Sequence, residues 1–175
     1  CVCDWDESEL DKVQSAISAL NVQLSKYNIT YSETINIIKT NGNDEWNSAY
    51  TRGNSIILPQ SKIKNYNKTQ TFKLLAHEFF HIYSRYNPNK RKTLYGLLDF
   101  SIVDNTILPK NVTRHTLTNP DCLEVVMINA IYGEKLVQAI PIIFIDGDNV
   151  DISKDILDSI KIKVYVKEFD KVVSI

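Results

Sequence analysis

The chain is poor in the residues that would commit it to a specialised architecture. Cysteine numbers 3 in 175 residues, too few for the disulfide-dense scaffolds of small secreted domains. Cys1 and Cys3 stand too close in sequence for an ordinary bridge to each other, and Cys122 can pair with only one of them, so mostly free thiols are expected. Glycine and proline number 5 each, which excludes collagen-like and Pro-rich compositions and leaves no linker, repeat or low-complexity run. No apolar stretch approaches the ~18 residues of a membrane span, so no transmembrane segment is expected. The formal charge of −1 excludes a general attraction to nucleic acid, and the local run Lys90-Arg91-Lys92 reads as a solvated helix surface.

What is present is enough for one substantial core. With 43% hydrophobic residues, positions 1–175 read most simply as a single domain, open to truncation at one or both ends. The first residue is Cys rather than Met, the mark of a processed product, a trimmed chain or a fragment. Export with a lipid anchor on Cys1 is one reading, a cytoplasmic protein another, and the compartment stays open. Oligomeric state is not legible.

Leu10, Val13, Ile17, Leu20 and Leu24 recur at helical spacing, and Asp6 with Glu9 has the form of a capping box, so an amphipathic helix comes first. Thr34 to Lys39 reads as a strand running into an Asn41-Gly42 turn, and Ser55 to Leu58, before Pro59, as a second strand. Asn67 with Gln70 caps the next helix, which must end near Asn87-Pro88 because a residue before proline is pushed out of helical geometry. A short helix over about Pro88 to Leu98 follows. Leu123 to Ile131 and Lys135 to Ile145 form a hairpin about Gly133-Glu134. Ile160, Ile162, Val164 and Val166 alternate with Lys161, Lys163, Tyr165 and Lys167, the pattern of a strand with one face in the core. Asp146-Gly147-Asp148-Asn149 with Asp151 lacks the terminal Glu of an EF-hand and reads as a polar turn. The fold class is α+β, with helices on one side of a mixed or antiparallel sheet.

His77-Glu78-Phe79-Phe80-His81 uses two of the chain's 3 histidines. Imidazoles at i and i+4 project from one helix face and can share one metal ion. Being neutral, they leave Zn²⁺ a strong Lewis acid that draws the pKa of bound water toward ~7. Glu78 stands about 100° round the helix from His77, where it reaches that water rather than the ion, as a general base that can pass the proton to a leaving amine. Phe72, Leu75, Ala76, Phe79, Phe80 and Ile82 make the segment apolar over most of its circumference, as a buried active-site helix requires. A hydrogen-bonded histidine pair in a core is the plainer alternative.

Leu74-Leu75-Ala76-His77-Glu78-Phe79-Phe80-His81-Ile82 resembles the active-site helix of the zincin metallopeptidases. The metzincin pattern asks for Gly at position 84 and His at position 87, where this chain has Ser84 and Asn87, so the resemblance is gluzincin-like. Ala49 to Pro59, Ser84 to Pro88 and Thr118-Asn119-Pro120-Asp121 further resemble a poorly characterised bacterial family of zinc metallopeptidases, over roughly positions 49 to 121. The resemblance implies a zincin-like fold, a Zn²⁺ cofactor held by His77 and His81, Glu78 as general acid/base, and a peptide or protein substrate. Zincins often pair substrate with a strand before the active helix. Ser55 to Leu58 is the segment that could do so here, against its plainer reading as a buried strand.

A later helix carrying Glu followed by Ala-Asp, part of that family's pattern, has no counterpart after Tyr132. The third ligand is therefore open among Asp99, Asp121 and Glu124, and the expectation is an incomplete set or Asp121. His115 or Tyr132 is the candidate to stabilise an oxyanion. The rival to a hydrolase is a catalytically inactive zincin-like binding domain.

Overall fold

The computed structural model describes residues 1–31, 34–103, 108–117, 121, 125–145 and 160–174. Cys122, Glu124, Thr118-Asn119-Pro120, the start of the expected strand at Leu123, and the Asp146 to Asp151 turn lie outside them. The molecule is mixed α and β, and the chain divides into two compact units, Cys1–Pro88 and Asn89–Ile175. No helix among the described residues is long and apolar enough to cross a membrane.

In the first unit the capping box forms as the sequence requires. The Asp6 side chain accepts from the Glu9 backbone N–H at 2.8 Å and the Glu9 carboxylate from Asp6 N–H at 3.2 Å, which starts α1 (Glu7–Lys26). Three strands follow: β1 (Asn36–Thr40), β2 (Tyr50–Arg52) and β3 (Ser55–Pro59). Their order is β1-β3-β2, with β3 parallel to β1 and antiparallel to β2. Ser55 to Leu58 therefore has a strand on each side, and the reading of that segment as a substrate-pairing strand is corrected. Its edges are taken and Ile56, Ile57 and Leu58 are buried. The turn after β1 needs Gly42, whose φ is +83° and where a Cβ would meet Asn47 Oδ1 at 2.6 Å.

A short helix α2 (Gln60–Asn65) leads to α3 (Lys68–Tyr86). Ile56 and Leu58 present one face of β3 to α1 and α3, where Val13, Ala16, Ile63, Leu75 and Ile82 complete the core. Each of the valine, leucine and isoleucine side chains contributes about 1.5–3 kcal/mol on burial. Lys39 shares that face because it is in register with Leu58. A lysine there would be costly alone. Glu9 of α1 meets its Nζ at 2.5 Å, and the Asp4 carbonyl accepts from it at 2.6 Å.

The division falls at the first residue of α4 (Pro88–Gly96), which is two residues shorter than the expected helix to Leu98, and the second unit continues with β4 (Phe100–Val103), α5 (Lys110–Thr113) and β5 (Thr116–Leu117). The expected hairpin is β6 (Val125–Tyr132) and β7 (Lys135–Ile145), closed by a two-residue loop with Tyr132 opposite Lys135. Gly133 at the first loop position has φ +63°, which suits a type II′ turn. A strand β8 (Ile160–Val166), a 3₁₀ turn (Lys167–Phe169) and β9 (Lys171–Ser174) complete an antiparallel sheet in the order β4-β6-β7-β8-β9, with β5 paired to β7.

Alternation along β8 does not give one buried and one wet face. Tyr165 is buried against Val112, Ile140 and Ile142, while Val164 and Val166 are buried on the opposite face with Val137 and Ala139. Ile162, expected inside, is 65% exposed. Both faces are covered toward one end of the strand, so position along the strand outweighs parity.

Candidate metal centre

Local sequence fixes α3 at both ends. At its start Asn67 accepts from Gln70 N–H at 2.9 Å while the Gln70 side chain accepts from Asn67 N–H at 3.0 Å. At its end the Asn87 amide donates to the Tyr83 carbonyl at 2.9 Å, and Pro88 follows. Leu75, Phe79 and Ile82 bury one side of the helix. His77 and His81 stand on another, because two residues of advance from Leu75 or Phe79 rotate a side chain by about 200°.

The histidine rings meet edge to face with centroids 4.6 Å apart, and their Nε2 atoms lie 3.0 Å from one another. His77 is exposed and His81 half-buried. Two nitrogens on a tetrahedral zinc, each at ~2.0–2.1 Å, are separated by about 3.3 Å. The observed spacing therefore fits a shared ion with a shift of a few tenths of an ångström, and both donors are of the type zinc takes. The same spacing serves a direct N–H···N bond when one ring carries its proton on Nε2.

Glu78 is only 2% exposed. One of its carboxylate oxygens lies within 4.8 Å of a ring nitrogen of His81. Glu78 thus lies near His81, whose Nε2 is in turn 3.0 Å from that of His77.

Arg85 extends the row, one turn beyond His81 at the same i+4 step. Its guanidinium donates to the Gly53 carbonyl at 2.7 Å and to Thr51 Oγ1 at 2.9 Å. Two of the segments that carry the family resemblance, around Gly53 and around Arg85, are thereby joined. Sequence reading did not assign Arg85 a role. The only available signal was its place on the histidine face.

The remaining candidates belong to the second unit. Asp121 is half-buried at a turn position. Asp99 is exposed in a left-handed turn, φ +59°, just after α4, the helix terminus its sequence position suggested. His115 stacks on Phe144 at 5.3 Å between centroids, and its carbonyl accepts from Ile145 N–H at 2.7 Å. Tyr132 stands at the hairpin end with its ring 5.6 Å from that of Phe169 and its hydroxyl 3.5 Å from Lys171 Nζ.

No known protein-family model matches the chain, and no curated protein or solved structure matches it either.

Proposed function

We propose that the protein is a zinc-dependent hydrolase of zincin type, gluzincin-like, whose reaction is cleavage of peptide bonds. The observation that supports it best is the convergence of His77 Nε2 and His81 Nε2 at 3.0 Å on one helix face, beside a buried Glu78. His77 and His81 would hold the ion, with Asp121 as the candidate third ligand on its sequence context. A bound Zn²⁺ supplies Lewis acidity that polarises a substrate carbonyl and acidifies water. Glu78 takes the proton from the attacking water and delivers it to the departing amine. The β2–β3 turn, tied to Arg85, borders the same helix face and limits how a substrate chain can approach it.

The test is zinc stoichiometry by elemental analysis after dialysis against a trace-metal buffer, run together with cleavage of a mixed peptide library. One zinc per chain in the parent and its loss in both His77→Ala and His81→Ala, accompanied by cleavage that a chelator abolishes, is the expected result. Metal without cleavage would favour the inactive zincin-like binding domain. Absence of metal would favour the direct histidine–histidine hydrogen bond that the same 3.0 Å spacing allows.

A further inference from the structure

The first unit also holds a second feature unrelated to the histidines, an apolar pocket of about 220 Å³ between α1, β1, β3 and α3 that is open to solvent at one end. Its floor is Ile56, Leu75 and Phe79, which are 3%, 1% and 6% exposed. Ile17, Leu20 and Ile37 form its walls, and each is half-buried. At the mouth stand Asn21, Tyr31 and Thr34, all exposed. The Tyr31 hydroxyl donates to Asn21 Oδ1 at 3.3 Å, and the Tyr31 ring meets Phe79 edge to face at 5.0 Å.

This arrangement of an apolar interior with a few polar groups at one end is that of a small-molecule site. Interiors normally close such a space, since an unfilled void forfeits the dispersion contacts of its lining. Water gains little by entering, because the floor and walls offer it no hydrogen bond. The volume is about half as large again as the ~150 Å³ engineered cavity that takes up benzene. No charged side chain is among the described residues that line it. From these described residues an ion would gain no compensating charge for the hydration it sheds.

We infer that this cavity binds a small uncharged amphiphile, a mono- or bicyclic aromatic body carrying one hydrogen-bonding group. The body would rest on Leu75 and Phe79, and the polar group would face Asn21 and the Tyr31 hydroxyl at the mouth. Leu75 and Phe79 lie on the side of α3 turned away from His77 and His81, so the site is separate from the metal centre and does not depend on zinc.

Indole is a suitable probe, with indole-3-acetate as its charged counterpart. Calorimetric titration of the full chain, with and without chelator, should give saturable binding of indole at one site, equal in both conditions. Indole-3-acetate should bind at least roughly tenfold more weakly. Leu20→Phe, which places a larger apolar side chain at a half-buried wall position, should weaken indole by roughly tenfold or more while the urea midpoint stays at or above that of the parent. Ile37→Phe, from the opposite wall, supplies the same test should Leu20→Phe lose its fold. Failure of indole to saturate a folded parent would overturn the inference, as would equal binding by a folded filled variant or by the carboxylate. Loss of zinc binding in the parent would leave it standing.

Discussion

Arg85 and Gly53 are joined by a hydrogen bond of 2.7 Å from the guanidinium to the backbone carbonyl, which fastens the last turn of α3 to the tight turn between β2 and β3. A second prong reaches Thr51 Oγ1 at 2.9 Å. Planar guanidinium donors suit two acceptors at once, and an ammonium does not reproduce that fork. Arg85→Ala should therefore cost about 1–2 kcal/mol in urea denaturation, and Arg85→Lys should recover less than half of it. Zinc content should be unchanged in both, since neither alters the cap at Asn67 or the core contacts of Leu75 and Phe79 that set the histidines.

Lys39 and Glu9 are each nearly inaccessible in their side chains, at 4% and 5%. Lys39 also lies 5.9 Å from the Trp5 ring centroid, and Glu9 Oε1 is buried without a hydrogen-bond partner among the described residues. Removing one charge strands the other, so Lys39→Met or Glu9→Leu alone should lower stability by about 3–5 kcal/mol. The double variant Lys39→Met, Glu9→Leu should recover most of that loss, less about 1 kcal/mol for the capping bond that the Glu9 carboxylate accepts from Asp6 N–H. A double-mutant cycle read by chemical denaturation decides it. Additive losses would show that the two charges do not act as a pair.

How much of this was legible in the sequence depends on the range of the interaction. Both long helices were readable because their signals are local. Asp6 with Glu9 and Asn67 with Gln70 lie three residues apart, and Pro88 ends the second helix by sterics alone. The Gly133-Glu134 hairpin was readable for the same reason. The central place of β3 was not, since it depends on β1 returning in parallel from some twenty residues upstream. Nor was Lys39's burial, which depends on a carboxylate thirty residues away. Ile162 and Tyr165 exchanged their expected environments because alternation tells which residues share a face and not what covers it. At the site, the i, i+4 step brought the two imidazoles together as read. Arg85 escaped notice because one of its acceptors is backbone, which leaves no trace in residue identity.

Tyr50 and Asp44 give the first unit a pH dependence at both extremes. The Tyr50 hydroxyl donates to Asp44 Oδ2 at 2.5 Å. That bond, ahead of the others, holds the Asp44 carboxyl below its ordinary 3.8. Burial, then the bond and charge of Asp44, push Tyr50 from 10.0 to about 12. The depressed carboxyl contributes stability above pH 3.8 that is lost as pH falls through its lower folded value. The raised phenol contributes stability below pH 10.0 that is lost as pH rises toward about 12. Tyr50→Phe should reduce both losses together and flatten the stability profile at each end. Urea midpoints measured from pH 2.5 to 12 would expose the error if the alkaline limb were the same in parent and variant.

Glu78→Gln isolates the chemistry from the architecture. Glutamine keeps the size of the side chain and its capacity to accept a hydrogen bond, so a buried position 2% exposed should tolerate it with the fold and the histidine spacing intact. What it removes is the group that can take a proton from water and return it to a leaving amine. Peptide cleavage should fall by about 10²-fold or more, in kcat rather than in KM, because general base action is felt in the transition state and not in ground-state binding. Zinc stoichiometry should stay at the parent value, since the proposed ligands are His77 and His81. Equal turnover by the variant would take the general-base role away from Glu78. Loss of metal in the variant would instead make Glu78 a ligand, and the proton transfer would then have to be sought in another residue near the two imidazoles.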